Sequence, residues 1–207
     1  MLLERSGAAA AEDQTTSGFA FAETTWDSYF DQRQLISLTT TGSSGSSGSA
    51  SFQVYTVGLS RQQEVEGRSP PRAAAPVVPV YVLLHGGGLS ALSWALVART
   101  LKRHGRPALA YDFRAHGGST GDESELTAEQ LCSDTIAVVA AVVGTQAPLV
   151  IVGHSLGGAI AAKVSCTPEL RDRVTAVAMV DIVESVAMSS LDKMAEMVAR
   201  TAPPDSR

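Results

Sequence analysis

The chain has 207 residues, enough for one domain with a hydrophobic core. Its 44% hydrophobic content fits a folded protein, and its formal charge of −5 argues against nucleic acid as a partner. The two cysteines, Cys132 and Cys166, are too few for a disulfide framework. Both lie in helix-like apolar stretches and are expected as buried free thiols in a reducing compartment. No stretch reaches the ~18 apolar residues of a membrane span, and the start of the chain lacks a leader's apolar segment and cleavage site. A cytoplasmic or nuclear protein without membrane contact is expected.

Residues 1–17 read as a disordered tail. Residues 18–50 hold an aromatic cluster (Phe19, Phe21, Trp26, Tyr29 and Phe30) followed by a Gly/Ser-rich run from Thr39 to Ser51. The cluster is expected to dock on a core, and the run reads as a linker. Residues 51–207 form the main domain. It opens with a short strand, FQVYTVG, and a Pro- and Ala-rich loop. From Val77 the run VVPVYVLLH is nearly continuous and β-branched, as in a strand buried on both faces. Then come a helix over Ser90 to Arg103, the strand PALAYDF, a helix over Thr127 to Val143 and the strand PLVIVGH. A helix over Gly157 to Ser165, the strand VTAVAMVDIV and a helix over Glu184 to Arg200 complete the series. Strict alternation implies right-handed βαβ units: a mostly parallel sheet with helices on both faces.

Gly153-His154-Ser155-Leu156-Gly157 matches G-x-S-x-G, in which a serine sits on a sharp strand-to-helix turn. Small residues two before and two after let the turn approach neighbouring backbone. The hydroxyl then stands at a helix N-terminus, whose partial positive charge favours an anion. An apolar strand precedes the motif and a small-residue helix follows it, as the turn requires. Ser155 is the candidate nucleophile of an α/β-hydrolase fold.

A second motif, His85-Gly86-Gly87-Gly88, ends an earlier strand and resembles the glycine turn that supplies an oxyanion-hole N–H. Gly87 is the first choice of donor and Gly88 the second. The N–H of Leu156, next after the nucleophile, is the other donor. In YDFRAHGGS, Asp112 and Arg114 read as a structural turn braced by polar side chains. Asp181 stands near the end of the strand after the elbow helix, where an acid can orient a histidine; Glu184 competes for that role.

A serine nucleophile needs a general base, and this fold orders its triad serine, acid, histidine. The four histidines, His85, His104, His116 and His154, all precede Ser155 or adjoin it on that side. Each reads as structural, with the His154 ring expected to point away from the serine hydroxyl. The C-terminal strands of the fold and the triad histidine are therefore expected to be missing, and the chain to be catalytically impaired.

LLHGGGLSALSWALV, AYDFRAHGGST, VIVGHSLGGAIAAKVS and MVDIVESVAMSSLDKM together resemble the protein phosphatase methylesterase family, as do the upstream WDSYFD and FQVYTVG. The resemblance runs from about Trp26 to about Met197. It implies a serine carboxylesterase that removes the methyl ester from the C-terminal leucine of the protein phosphatase 2A catalytic subunit. No metal or organic cofactor is implied. Carried over by motif, Ser155 is the nucleophile and Asp181 the triad acid. A general carboxylesterase or lipase, and a non-catalytic phosphatase-binding fragment, are the alternatives.

Overall fold

Proline has no N–H for a sheet ladder. The apolar run before the glycines accordingly enters the sheet only after Pro79, as strand β3 (Val80–Leu84). The computed structural model of the chain describes residues 25–41, 47–59 and 78–182. Within them β3 lies beside β4 (Ala108–Tyr111), β5 (Leu149–His154) and β6 (Val174–Val180) in sheet order β4-β3-β5-β6, all parallel. The helices between them are α1 (Ala95–Arg103), α2 (Ala128–Val143) and α3 (Leu156–Val164). The predicted helix from Ser90 begins instead as a 3-10 turn, Ala91–Trp94, that runs into α1. Thr127 caps α2 by accepting from Gln130 N–H at 3.2 Å, and Gly144, at φ 78°, ends it.

The main departure from expectation is the Gly/Ser run. Thr39–Thr41 and Ser47–Ser51 belong to two paired antiparallel strands, β1 (Gln32–Thr41) and β2 (Ser47–Val57). Strand β2 pairs antiparallel with β4 through Val54–Val57. Among the described residues β1 is the edge of the sheet, and edge strands tolerate polar residues that elsewhere mark a linker. Ser37 and Ser51 face each other in register, their hydroxyls 2.8 Å apart. The start of the main domain at residue 51 thus falls inside β2.

Alternating side chains feed two cores. Phe52, Val54, Val82, Leu84, Leu109 and Tyr111 meet Leu131, Val138, Ile160 and Val164 of α2 and α3 on one face. Tyr55, Val57, Leu83, Ala108 and Ala110 meet Ala98 of α1, with Phe30 and Trp94, on the other. The described part of the aromatic segment packs here: the Phe30 ring centroid lies 5.2 Å from that of Tyr55, and Arg99 of α1 stacks over Tyr29. Lys102 of α1 also pairs with Asp31 at 2.8 Å. Phe19, Phe21, the Pro/Ala-rich loop and the predicted helix at 184–200 fall outside the described residues.

Cys132 is buried on α2, and burial pushes its thiol up to about 11. Cys166 corrects expectation: it is exposed, because α3 ends at Val164 and the apolar period stops with it. Strand β6 closes the sheet among the described residues, with Val177, Met179 and Val180 exposed. No described helix is long and apolar enough to cross a membrane.

Candidate active site

The β5–α3 junction is a sharp bend. Ser155 adopts φ 50° and ψ −116°, a conformation that L-residues with a side chain rarely hold. Its surroundings fix it there. Ser155 N–H donates to Val180 O at 2.9 Å, while Ser155 O accepts from Gly158 N–H and Ala159 N–H. Two glycines make the bend possible. A Cβ at Gly153 would lie 2.1 Å from Gly157 O, and one at Gly157 would lie 2.2 Å from Leu84 O and 2.6 Å from His85 O. The bend therefore packs directly on the turn after β3, as the two motifs predict. The Ser155 side chain is exposed, and its hydroxyl has no protein partner among the described residues.

Two backbone N–H groups, one in the bend and one in the glycine turn, are the predicted donors. Leu156 N–H begins α3 and has no intrahelical acceptor. Gly87 N–H donates to no acceptor among the described residues. Gly88, the second-choice donor, makes the backbone reversal with φ 72°, and its N–H likewise donates to no acceptor among the described residues. Asp181 follows β6 directly, next to Val180, whose carbonyl holds Ser155. It too has a positive φ, 52°, and its side chain is 83% exposed. The competing Glu184 lies outside the described residues.

The histidines sort by their contacts. His104 closes α1 through Thr100 O, and His116 is buried against Arg114 O. His154 lies against Gly86, and its Nε2 is 3.7 Å from Asp181 Oδ2. His85 is fully buried; its Nε2 accepts from Phe113 N–H at 2.9 Å, so Nδ1 carries the proton and donates to Gly86 O at 2.8 Å. Burial lowers its pKa to about 3, with the hydrogen bond to the Gly86 carbonyl pulling the other way.

That depression has a consequence for stability. The unfolded chain takes up a proton at this imidazole near pH 6.5, while the folded chain resists until about pH 3. Stability is therefore complete above pH 6.5 and lost progressively as pH falls toward 3. His85 alone should remove roughly 2 kcal/mol between pH 7 and pH 5. Urea unfolding at the two pH values, compared with His85→Asn, measures it. An equal fall in the variant would contradict the assignment.

Asp112 is not a reacting carboxylate but a brace, as read from the sequence. Its Oδ1 accepts from Ala91 N–H at 2.7 Å and its Oδ2 from Gly118 N–H at 2.8 Å. Burial raises its pKa, and these two bonds pull the other way. One buried partnership had no counterpart in the sequence reading. Arg114 forms a two-pronged bond with Asp134 of α2, at 2.9 and 2.8 Å. The available signal was an acid at a core position of α2, between Leu131 and Val138. No cluster of metal-ligating side chains occurs among the described residues.

A strained serine on a strand–helix bend, packed against a glycine turn at the carboxyl edge of a parallel sheet, defines an α/β hydrolase. The chain belongs to that family: residues 81–207 match the profile described as "Alpha/beta hydrolase family". It is 34% identical over 177 residues to protein phosphatase methylesterase 1 of Bos taurus, covering 84% of this chain and 40% of that protein. With the probable protein phosphatase methylesterase 1 of Caenorhabditis elegans it shares 37% identity over 119 residues, 56% of this chain and 33% of the relative. The motif resemblance is thus met by the curated relatives, of which this chain spans 40% or less in these two cases. A thermophilic esterase from Thermogutta terrifontis superposes with a TM-score of 0.53 at 20% identity, over 70% of this chain and 44% of that one; this likeness shows the fold.

Proposed function

We propose that this chain carries the nucleophile, acid and oxyanion hole of a serine carboxylesterase acting on the methylated C-terminal leucine of the protein phosphatase 2A catalytic subunit. The observation that carries the reading is the Ser155 bend seated on the glycine turn, with Leu156 N–H of the bend and Gly87 N–H of the turn lacking an acceptor among the described residues. The names of the curated relatives, protein phosphatase methylesterase 1, support a methyl ester on a protein phosphatase as the class of substrate. Ser155 Oγ attacks the ester carbonyl, and the oxyanion is received by Leu156 N–H and Gly87 N–H. Each such donor is worth on the order of 3 kcal/mol in the transition state. Methanol leaves, and water then releases the carboxylate. Asp181 orients the histidine that removes the serine proton. A methyl group contributes only about 1 kcal/mol of binding, so selectivity rests on contacts with the phosphatase itself.

The histidine placements favour a second role for the 207-residue polypeptide on its own: binding without turnover. His85, His104 and His116 each engage a backbone carbonyl, and the His154 Nε2 faces Asp181 rather than the serine. Loss of a triad histidine costs on the order of 10⁶ in kcat. Methyl-ester turnover is therefore expected to lie about that far below an intact triad enzyme. A fluorophosphonate should label Ser155 slowly, and Ser155→Ala not at all. Labelling of equal rate in Ser155→Ala would refute the nucleophile. Fast stoichiometric labelling of the wild type would refute the impairment and leave the nucleophile standing.

A further inference from the structure

The glycine turn after β3 is held from beneath by two buried side chains. His85 donates from Nδ1 to Gly86 O at 2.8 Å, and Leu89 N–H donates to the same oxygen at 3.1 Å. The Nε2 of His85 accepts from Phe113 N–H in the loop after β4. Asp112, one residue earlier in that loop, accepts from Ala91 N–H at the far end of the turn. Both His85 and Asp112 are essentially inaccessible, at 0% and 1% exposure. The turn is therefore pinned at both ends to a loop that itself closes through Gly118 N–H on Asp112 and Ser119 Oγ–H on Asp112 O.

The peptide between Gly86 and Gly87 is trans. In a trans peptide the C=O and the N–H lie in one plane and point in opposite directions. Capturing Gly86 O from one side thus dictates where Gly87 N–H points. We propose that His85 is a positioning residue: by gripping the Gly86 carbonyl it aims the Gly87 N–H, with Asp112 anchoring the other end of the same turn. This rests on the reading that Gly87 N–H is an oxyanion donor. It assigns His85 no proton transfer. The residue works as a neutral Nδ1–H tautomer, and exchanging its two nitrogens would break both of its hydrogen bonds at once.

Asparagine and glutamine separate the two bonds. His85→Asn can keep a donor near the Nδ1 position and loses the Nε2 acceptor. His85→Gln can keep an acceptor near Nε2 and loses the grip on Gly86 O. Both variants lose one buried bond and should be destabilised alike, but only His85→Gln should misdirect Gly87 N–H. In the 207-residue chain the slow phosphonylation of Ser155, followed by mass spectrometry, should fall roughly 10- to 100-fold in His85→Gln. It should stay within about threefold of wild type in His85→Asn. The Gly87 amide resonance should shift in His85→Gln alone.

Equal losses in the two variants, tracking their stability, would overturn the proposal. For the case that neither variant folds, nitrogen-15 NMR of the wild-type imidazole decides. A pH-independent Nδ1–H tautomer from pH 5 to 8 is expected, and an Nε2–H tautomer or a titration in that range would overturn the assignment. Should wild-type Ser155 take up no label at all, the esterase reading fails. The tautomer and the Gly87 amide shift still report on the grip.

Discussion

Gly157→Ala is expected to destabilise the chain by about 3 kcal/mol or more. Ordinarily, replacing a helical glycine by alanine gains roughly 0.5–1 kcal/mol, because alanine loses less backbone entropy on folding. At this position the added methyl would lie 2.2 Å from Leu84 O and 2.6 Å from both Leu84 C and His85 O. These are backbone atoms at the end of β3, which no rotamer change can move aside. Either α3 must lift off the sheet or the turn after β3 must give way, and each shift takes Ser155 away from Gly87. The neighbouring position supplies the control. A Cβ at Gly158 meets nothing nearer than 3.3 Å, from Gly153 O and the flexible end of Ile182. Gly158→Ala should therefore lie within about 1 kcal/mol of wild type. Urea midpoints for the two variants make the comparison. A Gly157→Ala chain as stable as Gly158→Ala would mean that the bend does not press on the turn.

The features that were legible in the sequence are those set by local rules. The strand–bend–helix around Ser155 follows from spacing alone, since glycines two before and two after a serine answer the contacts at Gly153 and Gly157. The cap at Thr127 and the stop at Gly144 bracket α2 within a residue of the predicted span. What was not legible depends on partners distant in the chain. β1 carries Gln, Ser and Thr and has no strong alternation of its own. It becomes a strand because β2 offers it a register, Gln32 opposite Thr56 through Thr41 opposite Ser47. His154 sits at the variable position of the elbow, so nothing in the motif indicates that its ring lies between Gly86 and Asp181. The choice between Gly87 and Gly88 is not decided by local rules either: Gly88 takes the backbone reversal at φ 72°, and neither N–H has an acceptor among the described residues.

The buried Arg114–Asp134 pair is the other place where a single substitution should cost most. Asp134 is 0% exposed and the Arg114 side chain 4%, so neither charge is solvated. Arg114 Nε and a terminal guanidinium nitrogen each bond one Asp134 oxygen, and Gln130 Nε2 donates a third bond at 2.9 Å. Such a pair need not stabilise the fold relative to an apolar one, since desolvation of both ions offsets much of their attraction. Breaking it is another matter. Arg114→Met keeps the apolar stem but leaves the Asp134 carboxylate buried with Gln130 as its remaining side-chain donor, at an expected cost of about 3–5 kcal/mol. The double variant Arg114→Met with Asp134→Leu should recover most of that loss. Glu125 also pairs with Arg114, at 2.6 Å, but it is 34% exposed, and Glu125→Gln should cost less than about 1 kcal/mol. Equilibrium urea unfolding of the four chains at pH 7 tests this order. Arg114→Met within 1 kcal/mol of wild type at pH 7 would mean that water reaches Asp134, and that the loop carrying Asp112 and Phe113 is not clamped to α2.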